Sequence, residues 1–200
     1  MRLLITLLAV FFSLNAEASL LNPANPESLD IGFISSNVRL TKGKPIAMNL
    51  MKKWEVSAWR GEKVSVQVLV KAGTDVKSLK TSVAQFSSQK GNRIAADQVK
   101  TGYVHYVWTD EFGNGCGHRK STDFDSSEVS DPIIQATSIQ VKRGEYQPIW
   151  LTISVPADTK ADVYHTTVTV SGTKSYKIML SLKVIDKVLP APGKWSFDLD

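Results

Sequence analysis

Apolar and polar residues alternate with a period of two through most of the chain. In "KVSVQVLV", Val64, Val66, Val68 and Val70 fall on one face, and Ser65, Gln67 and Leu69 on the other. "PIWLTISV" groups Ile149, Leu151, Ile153 and Val155, and "SYKIMLSLKVID" groups Ile178, Leu180, Leu182 and Val184. "VYHTTVTV" and the aromatic-rich "GYVHYVWT" carry the same rhythm. Alternation of this kind places one face of a strand on a core. Shorter strands are expected at "NVRL", "IAMNLMKKWEV" and "LKTSVAQF". Turn residues separate the runs: Gly61, Gly73, Gly91-Asn92 and Ser171-Gly172, with Pro156 ending a strand. No apolar stripe of helical period is long enough for a core helix, and "NRIAADQVK" is the best short helical candidate. Many strands without helix alternation predict an all-β fold, an antiparallel β-sandwich of immunoglobulin-like or jelly-roll-like type. The missing helix-strand repeat disfavours the (β/α)8 barrel and the doubly wound folds.

The rhythm breaks at both ends. Arg2, an apolar run from Leu3 to Leu14, and Ala16-Glu17-Ala18 form a secretory signal, with cleavage expected after Ala18. That run is too short to span a bilayer comfortably, and no later segment is long and apolar enough. The reading is an exported, soluble protein of a periplasm or the extracellular space. Residues 19–33, rich in Pro and Asn, read as a flexible leader, and residues 34–188 as the sandwich. Pro190 and Pro192 then form a stiff connector. Trp195, Phe197 and Leu199 alternate as if a new element began, so residues 189–200 are expected to be a linker and the start of a following domain.

The formal net charge is +5 and the sequence pI about 9.2. The lysines are scattered singly along alternating strands, with no basic run and no nucleic-acid motif. Lysines protecting strand edges explain the charge better than nucleic-acid binding does. A mildly basic surface leans toward acidic glycans. The single cysteine excludes an intramolecular disulfide.

Residues 111–133, "EFGNGCGHRKSTDFDSSEVSDPI", concentrate the chemistry-bearing side chains. About 20 residues between strands is long for a compact domain and points to an organised or functional loop. Cys116 and His118 offer two soft ligands, but no second Cys/His pair completes a zinc site. "DFDSSE" begins like a calcium loop, yet it lacks glycine at the sixth position, and Ile134 stands where a bidentate Glu belongs. A Cys116–His118 nucleophile lacks an orienting group. The carboxylates Asp110, Glu111, Asp123 and Asp125 could be paired for glycoside hydrolysis, but acidic residues are common in loops. No metal or other cofactor is expected. Carbohydrate binding needs exposed aromatics beside polar groups. The five tryptophans are Trp54, Trp59, Trp108, Trp150 and Trp195, and strand tryptophans are more often packed than displayed. The candidates for carbohydrate binding or an interface are therefore Trp108 and Phe112 beside the loop, with His118, Arg119, Asp125 and Asp131 within it.

Four phrases together carry a family resemblance: "SAWRGEKVSVQVLV", "GCGHRK…DSSEVSDPI", "QPIWLTISVPADTKADVYHTTVTV" and "LPAPGKWSFDLD". The chain from about residue 35 onward resembles the N-terminal β-sandwich domain of secreted bacterial proteins related to glycoside hydrolase family 123, the β-N-acetylgalactosaminidases. The resemblance implies that a (β/α)8 barrel follows the sandwich and carries the catalytic Asp-Glu pair, with the substrate's acetamido group as nucleophile. No catalytic residue transfers to a position in this chain. The implied role is a non-catalytic accessory domain in N-acetylgalactosaminide degradation, as a truncated or split-off piece, with a downstream barrel and a glycan as partners. The alternative is a free-standing carbohydrate-binding module. The resemblance also implies that the 111–133 loop is ordered.

Overall fold

The structure, a computed structural model, describes residues 29–109 and 127–194. Among the described residues twelve strands run in chain order: β1 (Leu29–Ile34), β2 (Lys53–Arg60), β3 (Lys63–Ala72), β4 (Val76–Val83), β5 (Phe86–Ser88), β6 (Arg93–Ile94), β7 (Val99–Thr109), β8 (Ser127–Ile134), β9 (Ile139–Val141), β10 (Tyr146–Ser154), β11 (Asp162–Ser171) and β12 (Ser175–Val188). They form two sheets. One has the order β1-β3-β10-β7-β8; the other has β2-β12-β11-β4-β9, with β5 and β6 appended beside β11. The fold is the all-β sandwich expected from the alternation.

The core is the set of residues that the alternation selects. Val66, Val68, Val70, Ile149, Leu151, Ile153, Ile178, Leu180, Leu182 and Val184 are all buried in one cluster between the sheets. Two aromatic contacts tie the layers. Phe33 of β1 stacks on Trp54 of β2 at 6.3 Å between ring centres. The Tyr103 hydroxyl of β7 donates to the Leu79 carbonyl of β4 (3.3 Å). Tyr164, fully buried at the start of β11, donates its hydroxyl to the Lys160 carbonyl four residues upstream (2.8 Å). That arrangement matches the tyrosine corner of immunoglobulin-type sandwiches.

Several expectations are corrected. Residues 29–33 are not a leader: Leu29, Ile31 and Phe33 of β1 point into the core, and β1 pairs antiparallel with β3. Burial of three large side chains outweighs the Pro/Asn-rich composition just upstream. The sandwich is not purely antiparallel, because β12 pairs parallel with β2. "NRIAADQVK" holds no α-helix: it forms the short strand β6, a 3-10 turn, Ala96–Gln98, and the first two residues of β7. "NVRL" is not a strand, and "IAMNLMKKWEV" becomes one only from Lys53. The last part of the 111–133 loop, from Ser127, belongs to β8, an edge strand on β7. Pro132 sits where the β7–β8 register shifts, a place where its missing N–H leaves no ladder bond unmade.

Residues 35–52 between β1 and β2 are a strap over the outer face of the five-stranded sheet. Leu69 of β3 faces outward there and is fully buried, because Val38, Leu40, Ile46 and Leu50 of the strap cover it with Tyr106 and Tyr146. The strap fastens first to edge strand β8. The Leu40 N–H donates to Ser130 Oγ (2.9 Å), the Ser130 N–H to the Leu40 carbonyl (2.9 Å), and the Lys42 N–H to the Glu128 carbonyl (2.8 Å). It returns to the opposite edge strand, β1, where Phe33 and Met51 exchange N–H···O bonds of 2.7 and 3.1 Å. Gln67 of β3 holds it midway, donating to the Val38 carbonyl (3.1 Å). The strap thereby occupies part of each edge, at Phe33 of β1 and at Glu128–Ser130 of β8, which shortens the edge left open to foreign strands.

Candidate functional site

The strap, β7 and the β9–β10 turn together line a concave surface. Position parity on β7 sends Val104, Tyr106 and Trp108 to the outer face of the sheet, the side on which the strap lies. Tyr106 is fixed: its hydroxyl donates to the Tyr146 carbonyl of β10 (2.9 Å). Burial, helped by the Glu145 carboxylate, raises the Tyr106 pKa above the ordinary tyrosine range, so the phenol stays neutral. Two strands along the sheet, Lys71 of β3 holds its ammonium 5.7 Å from the centre of the Tyr146 ring. The turn from β9 to β10 is tight. Gly144 has φ 82°, a left-handed conformation suited to glycine. Its N–H donates to the Ala72 carbonyl (2.7 Å), which leaves Arg143 and Glu145 flanking the opening.

The result is a cleft of about 660 Å³, within the usual size for small-ligand sites. Its floor carries Tyr106 and Tyr146, and its rim carries Lys44, Lys71 and Arg143 with one carboxylate, Glu145. Lys42 also lines it but pairs with Glu128 at 3.0 Å. On the far side of the Lys42–Lys44 turn lies a second hollow of about 390 Å³, bordered by Trp108 and Glu128.

The residues singled out in the sequence separate here. Trp108 is 70% exposed, the most displayed large hydrophobic among the described residues, and stands opposite Glu128 across the β7–β8 pair. Asp131 lies on β8, three residues beyond Glu128. Its carboxylate pairs with Arg39 at 3.0 Å and fastens the strap to β8. Phe112, His118, Arg119 and Asp125 lie outside the described residues, as does Cys116. Of the other tryptophans, Trp54 and Trp150 are half-buried and Trp59 is partly exposed. Among the described residues no three His, Cys, Asp or Glu side chains are grouped to hold a metal ion, and no helix is long and apolar enough to cross a membrane. Sequence reading missed Lys44, Lys71, Arg143 and Tyr146. They come from three separate segments, the strap, β3 and the β9–β10 turn with the first residue of β10, and only the parity of Tyr106 with Trp108 hinted at a shared face.

No curated protein sequence matches the chain significantly. Among solved structures, a family 123 glycoside hydrolase from Clostridium perfringens, studied for glycolipid glycan hydrolysis, superimposes with a TM-score of 0.71 at 18% identity. The match covers 84% of this chain and 29% of that one, so this chain corresponds to less than a third of that enzyme. The galactose complex of self-complemented MyfA, the major subunit of Myf fimbriae from Yersinia enterocolitica, aligns at 12% identity over 78% of this chain and 99% of that one. Its TM-score is 0.37, too low for fold or ligand to carry over. The family model for the glycoside hydrolase 123 N-terminal domain matches residues 33–172, from β1 through the end of β11. The chain belongs to the glycoside hydrolase 123 N-terminal domain family.

Proposed function

We propose that this chain is an exported, non-catalytic accessory domain that works beside a family 123 catalytic barrel in degrading N-acetylgalactosaminide-type glycans. The family match over residues 33–172 carries the reading. Support for a barrel-facing surface comes from the β2–β12 pair, where Trp59 lies opposite Ile185 in register and both are partly exposed, with Val188 beyond. Exposed apolar groups gathered in this way favour contact with another domain. The test is incubation of the purified full chain with an aryl N-acetyl-β-galactosaminide. No release of the aryl group is expected, and turnover above a buffer control would overturn the non-catalytic assignment. The exported state is checked by N-terminal sequencing of the protein from the producing cell, with Ser19 as the expected first residue.

A second reading, a free-standing carbohydrate-binding module, is favoured by one observation: the displayed Trp108 ring beside a hollow. Aromatic faces of this kind stack on sugars. Here the domain alone is retained on an immobilised glycan, and Trp108→Ala abolishes that retention.

A further inference from the structure

We propose that the cleft between the strap and the β9–β10 turn binds an acidic sugar, a saccharide unit bearing a sulfate or a carboxylate. The inference rests on the glycan-facing reading above and adds the charge class of the ligand. Lys44, Lys71 and Arg143 converge on the opening from the strap, from β3 and from the β9–β10 turn. Among the described residues none of the three forms an ion pair with a carboxylate. Lys42 beside them is neutralised by Glu128, and Asp30, Asp131 and Asp186 are likewise taken by other cations. The rim's one carboxylate, Glu145, is turned to its own backbone, where it accepts from the Lys142 N–H (3.0 Å). Asp75 accepts from the Arg143 backbone N–H (2.8 Å), so with Glu145 two carboxylates stand against three cations and the rim keeps a net positive charge.

The floor determines what kind of anion fits. A bare inorganic ion needs donors alone. Here the cationic rim surrounds about 660 Å³ of space above two tyrosines, enough for a sugar ring with its substituent. Tyr106 is fixed by its bond to the Tyr146 carbonyl, and Gln147 by donating to the Val104 carbonyl (2.9 Å), so the floor is formed before a ligand arrives. A sugar's apolar face rests on the aromatic floor, and its charged substituent reaches Arg143 or Lys71. Arginine suits the forked oxygens of a sulfate or carboxylate.

The experiment is calorimetric titration of the full chain with N-acetylgalactosamine 6-sulfate, glucuronate, N-acetylgalactosamine and sodium sulfate. At least one charged sugar is expected to bind about ten-fold or more tightly than the neutral sugar, the worth of one charge-assisted hydrogen bond. Arg143→Ala and Lys71→Ala are each expected to reduce that binding several-fold while leaving the melting temperature within a few degrees. Equal binding of neutral and charged sugars, or no effect of either substitution, overturns the proposal. Sulfate binding as tightly as the charged sugars also overturns it, because the site is then an anion site only. The two readings fail separately: turnover of the aryl glycoside removes the non-catalytic assignment without touching the cleft, whereas cleft variants without effect remove the acidic-sugar assignment alone.

Discussion

Gly32 is where the strap is most sensitive to a single atom. It faces outward on β1, directly beneath the strap. A Cβ added there would lie 2.6 Å from both the Leu50 carbonyl carbon and Leu50 Cβ, and 2.8 Å from the Met51 nitrogen. Carbon contacts are comfortable near ~3.5–4.0 Å, so the strap must retreat by about 1 Å. The obstructing atoms are mostly backbone, which no rotamer change can remove. Retreat pulls on the paired Phe33–Met51 hydrogen bonds that close the strap onto β1. Overpacking costs about 1–3 kcal/mol, and losing a backbone bond adds about 0.5–1.5 kcal/mol. Replacing glycine in a strand returns about 0.5–1 kcal/mol through the unfolded chain. Gly32→Ala therefore destabilises by about 2 kcal/mol, which lowers the melting temperature by roughly 4–8 °C for a domain of this size. Differential scanning calorimetry reads the shift. Gly193→Ala is the control, since a Cβ there meets nothing within 4 Å. A Gly32→Ala protein that melts at or above the wild type would refute the close approach of strap and strand.

Trp108→Ala leaves the melting temperature within about 2 °C, because the ring is 70% exposed and its removal opens no cavity; a larger loss by the same calorimetry shows that the ring is packed. Tyr164→Phe costs about 0.5–1.5 kcal/mol in a urea titration, the worth of its bond to the Lys160 carbonyl, and an unchanged midpoint shows that the corner is not stabilising. Asp131→Asn costs at most about 1 kcal/mol, and the cost shrinks as salt is added, as expected of an exposed pair with Arg39. The Tyr106 phenol has its pKa raised in the fold, so above about pH 10 the unfolded chain loses a proton that the folded one keeps. Stability then falls as pH climbs beyond that point, and Tyr106→Phe flattens the fall in urea titrations between pH 9 and about 11.

The parts of the fold that follow from local alternation were readable in the chain. Val64 to Val70, Ile149 to Ile153 and Ile178 to Val184 announce their inward faces without reference to any partner, and the core uses them as read. Pairing is a different matter. Nothing near β2 or β12 indicates that they run parallel, because that register depends on residues more than a hundred positions apart. β1 was hidden by its setting, a short apolar alternation just after a Pro/Asn-rich segment. The strap was hidden because irregular backbone has no period: Leu40 and Leu50 are buried by where the strap lies, not by a pattern. The cleft was less visible still. Lys44, Lys71 and Arg143 read as solvated surface charges until the fold places them around Tyr106 and Tyr146. Trp108 could be picked out because it ends an aromatic strand. Asp131 could be picked out as an acid in a long loop, but its partner, Arg39, lies in a segment that no local pattern joins to it.

The strap touches both edges of its sheet and also forms one wall of the cleft. Local opening of residues 35–52 would free the backbone groups of Phe33, Glu128 and Ser130 at the two edges and uncover the apolar ring around Leu69 in one event, and would dismantle the cleft with them. Any ligand that grips Lys44 on one wall and Arg143 on the other selects the closed form and thins the population of open molecules. Occupancy of the cleft and resistance to edge-to-edge self-association are therefore linked: the concentration at which the free domain begins to aggregate should rise with the concentration of whatever the cleft holds.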